Sequence, residues 1–230
     1  MRVVWLALAL VCFATFAFGV SMTLTGPPPG PSMAGVYTSP YTANIDGVST
    51  YVICDDFTTD SYQGLSWTAT VSTVAALPSN TVKFDVGSPA TQEQDYATAA
   101  FLAGEILAQD QTTLAGQYQA GILSYALWGV FDTTLLTTYQ GPNCTSINSY
   151  GCLTSGELAD ATHALATARA SAGSYTQYSN VNVYTPAPLN ASQEFLTVRT
   201  AEPSAASLFA VYLVGLLGLV LVFRRRIPVR

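Results

Sequence analysis

Charge is scarce in this chain. Asp, Glu, Lys and Arg make up 10% of its 230 residues, where a soluble domain typically carries about 25%. Histidine is almost missing: the one copy is His163. It falls off the apolar stripe of a helical stretch, so it reads as a surface residue, and no Ser-His-Asp arrangement can be built on it. There is no glycine-rich phosphate loop and no His/Cys cluster with metal-ligand spacing, so neither a cofactor nor a resident metal is expected. Positive charge is missing from the body: between residues 20 and 200, thirteen acidic residues face only Lys83, Arg169 and Arg199. A body near −10 repels phosphate backbones, which argues against nucleic-acid binding. Together these absences argue against an enzyme.

What is present lies first at the two ends. The chain opens MRVVWLALALVCFATFAFGVS. Arg2 precedes an apolar run over 3–13, and Ala17-Phe18-Gly19 offers small residues for cleavage. This pattern predicts a secretory signal peptide over 1–19. At the other end, residues 205–223 are uncharged and apolar, roughly 28 Å long as a helix, enough to cross a bilayer core. Arg224, Arg225 and Arg226 follow, which predicts a cytoplasmic C-terminus and an acidic body outside.

The order Ala201-Glu202-Pro203-Ser204, apolar span, arginine cluster resembles the PEP-CTERM protein-sorting domain. The Glu202-Pro203-Ser204 part matches that family's short signature, and Ala201 replaces its first proline. The resemblance covers about thirty residues (200–230), a span the 1.5 Å rise per residue makes long enough for a membrane helix and its flanks. It implies an exosortase-type membrane sorting enzyme as a partner, membrane insertion before tail processing, and display at the cell surface beside exopolysaccharide.

Between the ends, residues 20–35 hold Pro27, Pro28, Pro29 and Pro31 with three glycines and read as an extended linker. From residue 36 to 199 the pattern predicts one α+β ectodomain. Tyr41–Ile45 and Val48–Cys54 flank Asp46-Gly47, a hairpin signal, because both turn positions need positive φ. Residues 64–71 predict another strand. Then the period changes. Thr91 and Gln94 fit a capping box ahead of a helical face of Tyr96, Ala99, Ala100, Ala103, Ile106 and Leu107. A second helix is expected over 113–131, with Tyr118, Ile122, Ala126 and Leu127. A third starts at the Thr154/Glu157 capping box and stops at Gly173. Strands return over 178–184 and 193–198. The expected architecture is about three central helices between N- and C-terminal strands that share a sheet or barrel.

Cysteine chemistry supplies the remaining candidates. Cys144 and Cys152 bracket a Pro/Asn/Ser/Gly-rich stretch and are expected to form a disulfide in an oxidising compartment. Cys54 is then left as a free thiol. Asp55 and Asp56, with Asp60 near, read as a solvated turn after the strand, although a carboxylate pair is also what a secreted hydrolase would use. The strand ending Cys54-Asp55-Asp56-Phe57 and the helix ending Ala126-Leu127-Trp128-Gly129-Val130-Phe131-Asp132 resemble the thioester domains of bacterial surface adhesins. In that family a strand Cys is acylated by a Gln from a Thr-Gln-x-Ala-Ile-Trp motif. Aligned on Ala126-Leu127-Trp128, the Thr position holds Leu123 and the Gln position holds Ser124. Gln119 is the nearest upstream carboxamide, more than one helical turn away. Cys54 is therefore expected to pack a core. The expected role is a structural or adhesive protein at the cell surface, in contact with exopolysaccharide. The alternatives are a covalent adhesin using a Cys54–Gln119 thioester and a secreted hydrolase.

Overall fold

Asp46 and Gly47 both adopt positive φ, 48° and 89°, the geometry that lets a two-residue turn follow the right-handed twist of its strands. Asn44 Oδ1 accepts the Gly47 N–H at 2.7 Å. The turn fixes Ile45 opposite Val48 and joins strand β4 (Tyr41–Ile45) to strand β5 (Val48–Cys54). The computed structural model describes residues 19–26, 32–78, 81–84, 87–138 and 152–199.

Strand β1 (Val20–Gly26) pairs antiparallel with both β4 and β6 (Ser66–Thr73), and so corrects the expected linker over 20–35. Met22 and Leu24 are buried, whereas Ser21 and Thr25 are exposed. That two-residue period was hidden beneath the proline-rich composition that follows. Within the same stretch, β2 (Ser32–Met33) and β3 (Val36–Tyr37) form a small hairpin. Strands β7 (Val181–Ala187) and β8 (Phe195–Val198) complete a closed barrel in the order β1-β4-β5-β8-β7-β6. Closure leaves no free edge in that sheet.

The barrel interior is apolar. Met22, Leu24, Tyr41, Ala43, Val52, Cys54, Trp67, Ala69, Tyr184 and Phe195 fill it. Phe195 stacks on Trp67 with ring centroids 5.6 Å apart and meets Tyr41 edge-on at 6.1 Å. The alternate residues Ile53, Val183 and Leu196 point the other way, into a second core shared with the helices.

Helix α1 (Pro89–Ala108) starts three residues earlier than the Thr91 box predicts. Ser88 is the N-cap and Pro89 holds the first turn, a position where proline's missing N–H costs nothing. Helix α2 (Leu114–Phe131) is capped by Thr113 and is buried continuously from Ala120 to Val130. A Cβ at Gly116 would lie 2.1 Å from the Asp110 carbonyl oxygen, so only glycine fits that close approach. Tyr118, expected on the buried face, is exposed instead. A four-residue helix α3 (Leu135–Thr138) precedes α4 (Ser155–Ser171). The Thr154/Glu157 capping box is present at 2.7 and 3.3 Å, and Gly173 follows the helix at φ 63°.

Among the described residues, no helix is long and apolar enough to cross a membrane. The signal peptide up to residue 18, Cys144, the Glu202-Pro203-Ser204 signature, the apolar span 205–223 and Arg224, Arg225 and Arg226 lie outside the described residues. Cys152 is disulfide-bonded, and Cys54 is a free, buried thiol.

Candidate functional site

Strand β5 delivers Cys54 to the point where the barrel meets α2. The Cys54 N–H donates to Ser39 Oγ at 2.9 Å, and its carbonyl accepts from Trp128 Nε1 at 3.0 Å. Ser124, at the position where thioester domains carry glutamine, is buried one helical turn before Trp128. Its hydroxyl accepts the Ser39 N–H at 3.1 Å and donates to the Ala120 carbonyl at 2.8 Å. Ser39 therefore links the two chain segments by hydrogen bonds. The thiol donates to the Asp56 carbonyl at 3.1 Å. Its pKa is pushed well above the ordinary value of 9.0, first by burial and then by the charges of Asp55 and Asp56. A thiol held protonated in this way is a poor nucleophile. Gln119 is exposed while Cys54 is fully buried, so the structure does not bring the pair together.

Asp55 and Asp56 are not in a solvated turn; both are buried. The chain runs inward here because partners from distant segments satisfy it. Asp56 Oδ1 accepts from the Thr58 N–H and hydroxyl, both at 2.8 Å, and from the Thr59 N–H at 3.2 Å. Asp56 Oδ2 forms a salt bridge with Lys83, whose Nζ also donates to Thr59 Oγ1 at 2.5 Å and to the Ser192 carbonyl at 3.1 Å. Glu194, just before β8, accepts from the Lys83 N–H at 2.9 Å and from the hydroxyls of Tyr96 and Thr185.

Asp55 is different. Neither of its carboxyl oxygens has a hydrogen-bond partner, and the strongest charge acting on it is that of another carboxylate, Glu194. Burial, then the charges of Glu194 and Asp56, push its pKa well above 3.8. Burial also raises Glu194, but hydrogen bonds from Thr185, Tyr96 and Lys83 work against that rise. Asp55 rises further, since no donor partner offsets its burial, and is the member favoured to hold a proton. Asp60 and His163 are exposed and take no part in the network.

Beside this network a cleft of about 760 Å³ opens between the β2–β3 hairpin and the segment linking β5 to β6. Tyr37, Tyr41, Phe57, Asp60, Tyr62 and Trp128 are among its walls, with Gln63 and Gln193. Tyr37 and Tyr62 are 59% and 67% exposed. Phe57 packs on Trp128 at 5.0 Å in the floor. Gln193 ties the cleft to the buried network, since its Nε2 donates to the Asp56 carbonyl at 2.7 Å.

Comparison with protein-family models, curated proteins and solved structures gives no match. The sequence reading missed Lys83, Glu194, Tyr96 and Ser39 as partners of the Cys54-Asp55-Asp56 segment, because they converge only in the fold. The one available signal was Lys83, the only lysine of the chain, in an otherwise acidic body.

Proposed function

We propose that this chain is an exported cell-surface protein, sorted by its C-terminal tail, whose ectodomain binds extracellular polysaccharide in a structural or adhesive role. The observation that carries the reading is the cleft: exposed Tyr37 and Tyr62 stand over an aromatic floor, with Asp60, Gln63 and Gln193 at hand for hydroxyl groups. Flat aromatic faces cover the apolar face of a sugar ring, and amides and carboxylates fix its hydroxyls. The acidic body disfavours anionic polymers, so the ligand class is a neutral polysaccharide.

The burial of Asp55 and Asp56 supports this reading over a hydrolase, and the protonated Cys54 supports it over a thioester adhesin. The tail's resemblance supplies the sorting half: an exosortase-type enzyme reads Glu202 and Pro203 before the span. Cells displaying the full chain are expected to capture fluorescent neutral polysaccharide from a panel of glucan, mannan and galactan. They are expected to leave uronate polymers in solution. Capture of uronates alone, or of nothing, contradicts the binding half. Replacing Glu202 and Pro203 should leave export intact and abolish tail processing; continued trimming near Ser204 contradicts the sorting half.

A further inference from the structure

Lys83 is the only lysine in the sequence, and its side chain is 13% exposed and pressed against a carboxyl group that is 0% exposed. Isolating an ion pair from water is costly, and the mutual attraction repays the cost only in part. This pair has a second route open to it, because the groups around it match those an acyl transfer needs. Nζ touches Asp56 Oδ2, so the nucleophile is already within contact of the carboxyl group. Oδ1 is held by three donors, the Thr58 N–H, the Thr58 hydroxyl and the Thr59 N–H. They are placed to stabilise negative charge as it develops on that oxygen. Asp55, next to Asp56 in sequence, is a second buried carboxyl group, and its backbone N–H donates to the Glu194 carbonyl at 3.4 Å. Glu194 in turn bonds the backbone of Lys83 at 2.9 Å.

We propose that Lys83 and Asp56 condense into an intramolecular isopeptide bond that fastens the segment between β6 and α1 to the end of β5. Transfer of a proton from the Lys83 ammonium to Oδ2 gives a neutral amine and a carboxylic acid. Nζ then attacks Cγ, and the charge that develops on Oδ1 falls on the Thr58 and Thr59 donors. The surplus proton on nitrogen passes to the Oδ2 hydroxyl, which departs as water, and Thr59 Oγ1, 2.5 Å from Nζ, is in place to relay it. The Nζ–Cγ bond forms, the Cγ–Oδ2 bond breaks, and one water leaves. No oxidant or co-reactant is needed. Effective molarities of about 10⁵ M and above for well-oriented groups favour condensation that is unfavourable between free solutes.

A salt bridge and an amide behave differently once the chain is unfolded. The exported full chain is to be denatured in guanidinium chloride and divided, one portion treated with an amine-acylating reagent and the other digested with trypsin. The expected result is complete loss of labelling and cleavage at Lys83, with a single tryptic fragment ending at Arg169 that contains both residues 56 and 83 and is one water lighter than its linear sequence. Asp56→Ala, which cannot condense, should restore both labelling and cleavage. Asp56→Asn should still close, with loss of ammonia in place of water. Full acylation of Lys83 in the denatured wild-type chain overturns the proposal, as does a Lys83 that stays blocked in Asp56→Ala. The wild-type reading does not depend on how well either variant folds.

Discussion

Glu194 and Phe195 are neighbours in the chain and belong to different kinds of interior. Phe195 turns into the barrel, where the stacked ring of Trp67 and the edge-on ring of Tyr41 hold it. Glu194 turns to the seam between barrel and helices, where it gathers the Lys83 N–H and the hydroxyls of Tyr96 and Thr185. The first interior is held by volume and shape, which many apolar side chains could supply. The second is held by a set of partners in which removing one member leaves the others buried and unsatisfied. The difference predicts that the two residues, equally buried, fail in different ways.

The largest expected effect is on the apolar side. Phe195→Ala should lower stability by about 3–5 kcal/mol through cavity formation, and by the same amount at any pH between 5 and 8 in urea denaturation. Glu194→Ala should cost about 3 kcal/mol, because three donors lose their acceptor, and the cost should vary with pH. Equal pH profiles for the two variants would erase the distinction. Ser124→Ala should cost about 1–2 kcal/mol by leaving the Ser39 N–H without its buried acceptor, measured by thermal unfolding. Its Cys54 thiol should remain shielded from thiol reagents in the folded protein.

Asp55 sharpens the comparison through pH. The folded state keeps the Asp55 proton above the pH at which an unfolded aspartate has released it. The folded state therefore binds more protons in that window, and stability falls as pH rises from about 4 through the raised value. Asp55→Asn imitates the protonated acid, so it should match wild type near pH 4 and exceed it increasingly up to pH 8. A variant less stable than wild type at pH 8 would show that the carboxyl is ionised and paired there.

How much of this could be read in the sequence follows the same division. The β4–β5 hairpin was legible because Asp46-Gly47 constrains its own backbone, and the α4 start because Thr154 and Glu157 satisfy each other locally. The helix faces of α1 and α4 followed from a 3.6-residue period. Strand β1 was lost because Met22 and Leu24, two buried residues in seven, sat beside a run of prolines that dominated the composition. The start of α1 is less legible, because Thr91 and Gln94 offer a competing capping box three residues beyond the true cap at Ser88-Pro89. The polar seam was illegible for a stronger reason: Asp56, Lys83, Tyr96, Thr185 and Glu194 lie on five segments, and no local pattern relates them. The carboxylates of Asp55 and Asp56 read as solvated because charge defaults to water unless partners are known.

The smallest expected effect on stability is at the cleft. Tyr62→Ala should change stability by no more than about 0.5 kcal/mol, as an exposed side chain. The most direct measurement pairs that variant with Glu194→Ala and records both the melting temperature and the capture of neutral polysaccharide on displaying cells, well below either melting point. Tyr62→Ala should keep the wild-type melting temperature and lose capture, while Glu194→Ala should melt lower and retain capture. Retained capture in Tyr62→Ala, with loss in Glu194→Ala at a temperature where it is folded, would place binding in the buried seam and contradict the division of labour between seam and cleft.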